Sequence, residues 1–446
     1  MISKVELRAV SAVGLVYITR MLGLFMILPV LALNSDQYTG ATTTTIGLAL
    51  GIYGLMQALL QVPFGKLSDR IGRKPVILMG LALFAAGSLL AALSESIQML
   101  IFARAIQGAG AVSAALLALL SECSREQNRS KLMAILGISI GLSFGLAMVI
   151  GPLLAAAWGM QSIFWLCVAL AGLGALAIIG LSPSQGSDSV EHSAKLKSEQ
   201  AANKAASNRS ELWRLNLGIF VLHAVQMSLW IAVPVILLET FDIDQAQHWK
   251  WYLLAVGGGF IAMAPFMQAF AKRNWYRSTL LVGIASLAVA QLVLSQSESF
   301  GTFIFGLLVF FWGFNLLEAT LPSLVSRWVN DQGRGGAMGW YSSSQFLGTF
   351  AGGSVGGLLV SQYGLSAVFY FGLTLFVIWF VVATQMRSLP NIKSFVAKDL
   401  GTEALDKLAS SVGILSVKNF QDEQEVFVKV DMDLVEKQTL ETYQLK

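Results

Sequence analysis

Long unbroken apolar runs, rather than alternation or a one-sided helical stripe, organise this chain. Twelve of them lie at 7–33, 44–66, 75–94, 97–121, 131–158, 161–182, 212–238, 249–271, 276–296, 300–327, 334–361 and 364–387. A helix of about 20 residues crosses a bilayer core, and in lipid the backbone must bond to itself, so each run predicts a spanning helix. A polar stretch rich in Ser, Ala, Lys and Glu at 184–210 parts the sixth run from the seventh. It reads as a cytoplasmic linker with a surface helix over 194–206. Past 391 the pattern shortens, predicting strands at 392–398, 414–420 and 425–430 and helices at 402–411 and 434–443. The expected fold is an all-α membrane protein of twelve helices in two pseudo-repeats of six, with a small α/β module appended. Its expected divisions are a first bundle at 1–183, the linker at 184–211, a second bundle at 212–389 and the module at 390–446.

Composition agrees with this pattern. Of the 446 residues 55% are hydrophobic and 13% charged, against about 25% charged in soluble domains. Lys4 and Arg8 precede a first run too long for a cleavable signal core.

Charge then sets the orientation. Arg20 and Arg104 lie inside runs and Lys250 opens the eighth; the other Lys and Arg all fall on segments of one parity, including both termini. The opposite loops carry Asp36, Glu95, Glu239, Asp242, Asp244 and Glu298. Positive charge stays inside, so both termini are expected in the cytoplasm. The net charge of +4 reflects that asymmetry, and the tail holds seven bases against ten acids; neither supports a nucleic-acid partner. Cys123 and Cys167 form no CxxC pair and no metal or redox site is expected. No P-loop is present, so nothing points to nucleotide hydrolysis or to a bound cofactor.

Two segments break the apolar pattern in an organised way. Gly65-Lys66-Leu67-Ser68-Asp69-Arg70-Ile71-Gly72-Arg73-Lys74-Pro75 packs four cations and one acid between the second and third runs. Gly65 and Gly72 allow tight turns and close helix approach, and Pro75 suits a first helical turn. Asp69 is not explained by topology alone; a carboxylate against a helix N-terminus or an Arg makes a latch that breaks on movement. Glu122, at the end of the fourth run, is expected to reach Arg70 and complete that latch. The second segment is Leu100-Ile101-Phe102-Ala103-Arg104-Ala105-Ile106-Gln107-Gly108-Ala109-Gly110-Ala111, where an Arg within a span must face protein or water.

Both segments resemble signature motifs of the major facilitator superfamily of secondary transporters. The first resembles its loop between helices 2 and 3, the second its helix-4 motif with Arg104, Gln107 and both glycines in place. The helix-5 antiporter signature is partly kept, with Ala147, Gly151-Pro152 and Ala155-Ala156. The halves also look alike: Pro63-Phe64 has its counterpart in Pro265-Phe266, and Gly151-Pro152-Leu153-Leu154 in Gly356-Gly357-Leu358-Leu359. Three further stretches, Thr19–Met26, Phe314–Leu324 and Tyr341–Gly348, resemble proton-driven drug exporters of the bacterial inner membrane. Those carry a cytoplasmic ferredoxin-like βαββαβ domain; here a last strand is not evident after Gln438.

The resemblance implies that helices 1, 4, 7 and 10 line a central cavity, and four ionisable residues fall on those helices: Arg20, Arg104, His223 and Glu318. Glu318, the one acid well inside a run, is the leading proton carrier and His223 the second. Arg20 or Arg104 would bias Glu318, unless Arg104 simply bonds neighbouring carbonyls. Gln107 and Asn315, three residues from Arg104 and Glu318, join Gln226 and Trp312 as the candidate cavity lining. Phe311, Phe314, Trp230 and Trp340 are either a greasy substrate surface or ordinary packing.

The functional expectation is a transporter, not an enzyme: proton-coupled efflux of a small lipophilic or drug-like molecule across the inner membrane by alternating access. The Asp69 latch would hold the outward-open state. A proton symporter or facilitator for a small polar solute such as a sugar, and a membrane ligand sensor signalling through the tail, are the alternatives.

Overall fold

A computed structural model of the chain describes residues 4–124, 126–181, 198–272, 275–329, 334–387, 392–398, 407–408, 411–420, 425–431, 435 and 442. Half of the expected linker (184–197) and most of the expected tail helices at 402–411 and 434–443 lie outside them.

Among the described residues twelve helices follow the twelve runs. They are α1 (Lys4–Phe25), α2 (Thr43–Ile71), α3 (Arg73–Ala92), α4 (Ile97–Ala109, continued as Ser113–Glu122), α5 (Glu126–Trp158), α6 (Gln161–Ile179), α7 (Ser198–Val235), α8 (His248–Lys272), α9 (Tyr276–Ser295), α10 (Phe300–Trp328), α11 (Arg334–Tyr363) and α12 (Ala367–Thr384). Eleven spans are long and apolar enough to cross a membrane; α11, rich in Gly and Ser, is not among them.

Local chemistry sets the helix ends. Ser96 and Ser299 cap α4 and α10 in the same way, each hydroxyl accepting from the backbone N–H three residues on, at 3.3 and 3.2 Å. Thr42 and Thr45 make a reciprocal capping box at the start of α2. α4 breaks at Gly110, where a Cβ would fall 2.3 Å from the Gly80 carbonyl of α3; the chain gives up helical continuity there for contact between backbones. The run at 7–33 does not stay helical either: α1 ends at Phe25 and a 3₁₀ turn covers Ala32–Gln37. α7 begins earlier than its run, at Ser198, and ends in a π turn, Ile236–Thr240.

The halves repeat each other in detail. Lys74 in the first turn of α3 donates to the Leu181 carbonyl just past α6. Arg277 in the first turn of α9 donates to the Thr384 carbonyl at the end of α12. Each cation thus answers the negative end of the last helix in its own half. Gly159 and Gly364, with φ of 77° and 83°, make the turns into α6 and α12.

α11 joins the two halves. A Cβ on Gly47 would lie 2.2 Å from the Gly353 carbonyl, one on Gly51 2.8 Å from the Phe350 carbonyl, and one on Gly357 2.6 Å from the Thr43 carbonyl. On its other side Gly348 and Gly352 meet the α7 backbone at Phe220 and Ala224 just as closely. Small residues let helix backbones touch where lipid supplies no driving force, and this is why α11 gives up apolar side chains. These approaches involve the first half of α2 and the second half of α11, at the end of the bundle that carries Ala32–Gln37.

The described part of the tail is a three-stranded antiparallel sheet of β1 (Ile392–Lys398), β2 (Ile414–Phe420) and β3 (Glu425–Asp431), in the order β1-β3-β2. Leu408, Val426, Val428 and Val430 form its core.

The α2–α11 contact can be tested by overpacking. Gly353→Val should destabilise the detergent-solubilised protein by about 1–3 kcal/mol and abolish transport. Gly141→Val, where a Cβ meets nothing within 4 Å, should leave both unchanged in the same thermal-unfolding assay.

Candidate functional site

Glu318 stands on α10 with its side chain 37% exposed. Its Oε1 accepts from Gln345 Nε2 of α11 at 3.2 Å, and its Oε2 lies 3.7 Å from His223 Nε2 of α7 without a hydrogen bond of its own. The same Gln345 nitrogen lies 2.8 Å from His223 Nε2. An amide nitrogen only donates, so His223 Nε2 accepts, and its Nδ1–H donates to the Ile219 carbonyl at 3.3 Å. The imidazole is thereby held neutral. The Phe314 ring packs edge-on to it at 5.6 Å. Three helices thus bring one carboxylate, one imidazole and one amide together, a set able to take up and release a proton.

The two arginines do not join this set. Arg104 is fully buried within the first half, its Nη1 donating to the Gly23 carbonyl at 3.2 Å and to Gln107 Oε1, its Nε to the Ala49 carbonyl at 3.4 Å. The Tyr53 ring lies 4.9 Å from the guanidinium carbon. Gln107 passes the network to Ser88 of α3 at 2.8 Å. Arg104 therefore ties α4 to α1 and α2, and Gln107 is a buried structural amide rather than cavity lining. Arg20 is buried at 3% exposure, with Nη1 on Ser113 Oγ at 3.1 Å. It faces the break in α4, beside Tyr17, whose hydroxyl donates to the Ser113 carbonyl. Neither cation is placed to bias Glu318 by direct contact, because each is spent inside its own half.

The signature segment is rearranged from its expected form. α2 continues to Ile71, so Gly65 is helical, and a Cβ there would lie 3.4 Å from the Ala114 side chain; the turn is made by Gly72 alone, at φ 95°. That turn folds Arg73 back, where it pairs with Asp69 and donates through Nε to Glu122 at 2.8 Å and through Nη1 to Ser68 Oγ at 2.8 Å. Glu122 thus meets Arg73 rather than Arg70, which lies exposed on the last turn of α2. The cluster joins α2, α3 and α4 of one half. The matching place in the second half holds a cation–π contact instead, Arg327 stacked 3.9 Å over Tyr276.

The other lining candidates divide. Asn315 donates to the Val256 carbonyl of α8 at 3.3 Å, Gln226 is buried, and Trp312 packs on Phe266 with ring centroids 5.3 Å apart. Phe311, Phe314 and Trp230 are packed interior, with Phe311 4% or less exposed and 6.3 Å from Phe144 of the opposite half. Trp340 is 69% exposed.

Three polar residues in the site or just before the apolar runs went unread in the sequence. Gln345 sits in a Gly/Ser-rich run where no charge marks it. Glu6, at the start of α1, and Glu211, within α7, are buried acids placed just before the first and seventh apolar runs. Glu6 accepts from Asn128 at 3.0 and 3.2 Å, and Glu211 pairs with Arg214 at 2.6 Å. The equivalent placement of the two acids was the available signal.

These geometries separate structural from surface roles by size of effect. Arg104→Leu leaves Gln107 and two carbonyls short of a donor, and should cost about 2 kcal/mol or more. Glu122→Gln breaks an exposed ion pair and should cost about 1 kcal/mol at most. Denaturant titration in mixed micelles distinguishes them; an Arg104→Leu protein as stable as the parent would contradict the structural role.

Comparison with known proteins places this arrangement. Residues 13–256 and 215–419 each match the Major Facilitator Superfamily, one match for each half. The chain is 40% identical over 432 residues to the inner membrane transport protein YajR of Escherichia coli, covering 96% of this chain and 94% of that one. It is 25% identical over 284 residues to the multidrug resistance protein MdtL of Escherichia fergusonii, covering 62% and 70%. Its fold resembles the crystal structure of the human organic anion transporter MFSD10, with a TM-score of 0.62 at 20% identity over 85% of this chain and 99% of that one. The family's members are transporters rather than enzymes, and this multi-pass membrane protein, a carrier of small molecules, belongs to the Major Facilitator Superfamily.

Proposed function

We propose that the chain is a proton-coupled exporter of small lipophilic or drug-like molecules in the inner membrane, with both termini in the cytoplasm. The observation that carries this reading is the Glu318–Gln345–His223 set, a carboxylate with one oxygen buried and without a hydrogen bond, in the middle of a helix otherwise packed in apolar surroundings. A charged carboxylate at that depth is costly unless it is neutralised by a proton or answered by a ligand. Proton and substrate therefore compete for Glu318, which is the elementary requirement of exchange. The name of its relative MdtL supports a drug-like substrate, and the apolar interior suits lipophilic molecules.

The functional divisions are two bundles, 1–183 and 212–389, joined by the linker at 184–211, with 390–446 as a ferredoxin-like module. Its strand order β1-β3-β2 with antiparallel neighbours agrees with the first three strands of a βαββαβ unit. The bundles exchange inward and outward arrangements by rocking about the α2–α11 contact. The Asp69–Arg73–Glu122 cluster keeps the ends of α2, α3 and α4 moving as one piece, with Gly65, Arg70 and Gly72 as its frame.

Inverted membrane vesicles with an acid interior test this. Lipophilic dyes should trigger proton release in wild type and not in Glu318→Gln, with small sugars inactive. Release by both proteins would make Glu318 structural and leave His223 as the coupling group. Uptake of sugar together with protons would replace export by symport.

A further inference from the structure

We infer that Gln345 is the positioning residue that converts protonation of the Glu318–His223 pair into movement of α11 against α2; this rests on the proton-coupled reading above.

Three observations meet at this side chain. Its amide nitrogen serves His223 of α7 and Glu318 of α10 at once, at 2.8 and 3.2 Å. An NH₂ group has two hydrogens, so both are committed to acceptors. Its neighbours on α11 face the opposite half: the Ser343 hydroxyl donates to the Ala58 carbonyl of α2 at 3.4 Å, and a Cβ on Gly54 of α2 would lie 2.7 Å from the Phe346 carbonyl. Gln345 is thus bonded to the ionisable pair on one side, within a stretch of helix that touches the other bundle on the other.

The consequence follows from donors and acceptors. A proton that the pair passes to His223 Nε2 turns an acceptor into a donor, and the Gln345 N–H then faces another hydrogen, whereas a proton on the unbonded Glu318 Oε2 leaves Oε1 an acceptor. The contact survives only if the amide rotates to present its oxygen, or if α11 withdraws. One of the two bonds must be lost in the process, since a single amide oxygen now serves a donor while the nitrogen is turned away. Strain of this kind reaches α2 directly, because the α2–α11 contact is largely backbone against backbone, with the short Ser343 and Thr349 side chains filling the rest and little slack to absorb a shift. Among the described residues the titratable groups at Gln345 are His223 from α7 and Glu318 from α10, with Tyr341 one turn earlier on α11; at the nearest contact α2 presents only the uncharged Ala58 backbone.

Two measurements test the inference. The first uses the unmodified protein, which has three histidines. Nitrogen-15 NMR at high pH should find His223 as the Nδ1–H tautomer, assigned by loss of its signal in His223→Ala. An Nε2–H tautomer would overturn the inference, whatever the variants do. The second places spin labels through Ile71→Cys and Ser278→Cys, both exposed at the same end of the two bundles, with Cys123→Ser and Cys167→Ser. In nanodiscs the parent's label–label distance distribution should shift between pH 5 and pH 9, on the order of the several-ångström displacements of rocking bundles. Gln345→Met, close in size, should lose that shift while Glu318 still titrates by its infrared carboxyl band. A Gln345→Met protein that keeps the parent's shift at the parent's midpoint overturns the inference and leaves proton coupling standing. A parent without any pH-dependent shift and without dye-triggered proton release overturns proton coupling itself, and this inference with it.

Discussion

A lipid core cannot solvate a polar atom, so every charge carried into these helices must be answered by the protein. The way each is answered separates structure from function. Arg104 is fully buried, and carbonyls, an amide oxygen and an aromatic face take up most of its guanidinium. Its Nη2 is buried without a hydrogen bond, but a guanidinium holds its charge permanently and has no proton to exchange, so it works as a rivet. Glu318 is the opposite case, with one oxygen held by an amide and the other without a hydrogen bond. An incompletely satisfied carboxylate has a use for a proton or a ligand, whereas an arginine that keeps its charge has no use for a proton.

The same constraint explains why the halves meet through glycine. Two bundles in lipid gain little from apolar contact with each other, since the lipid is equally apolar. What remains is close packing, and the α2–α11 contact reaches the limit of backbone against backbone at Gly47 and Gly353. A contact made this way has a definite geometry but little side-chain interlocking. The Phe144–Phe311 ring pair adds a second crossing from α5 to α10.

How much of this was legible in the sequence depended on the range of the interaction. Spans were readable because a bilayer imposes length and apolarity on each helix alone, and Ser96 and Ser299 announce their helix starts by local chemistry. The family was readable because its motifs are local too. Pairing was not: whether Glu122 would meet Arg70 or Arg73 turned on the positive φ of one residue, Gly72, which rotates everything after it. The break in α4 escaped notice because the residue that causes it, Gly80, lies on another helix. Gln345 escaped for a related reason, since an uncharged amide among serines gives no signal until three helices are placed around it. Arg20, Arg104 and Gln107 were legible as unusual residues, but which half would absorb them was a matter of packing.

The two halves share a plan and divide the work. Each ties the first turn of its third helix to the end of its sixth through a cation, Lys74 in one and Arg277 in the other. At the adjoining helix ends they differ: the first half has the Asp69–Arg73–Glu122 ions and the second has Arg327 stacked on Tyr276. In the interior the difference runs the other way, with cations locked in place in the first half and the acid, imidazole and amide gathered in the second. An arginine stacked on a half-buried tyrosine is less sensitive to salt than an exposed ion pair. The half that carries Glu318, Gln345 and His223 has an arginine stacked on a tyrosine at these helix ends, and the half that carries the two buried arginines has an ion cluster there. Duplication supplied two similar bundles, and polar side chains at a few positions gave the first its locked cations and the second its incompletely bonded acid.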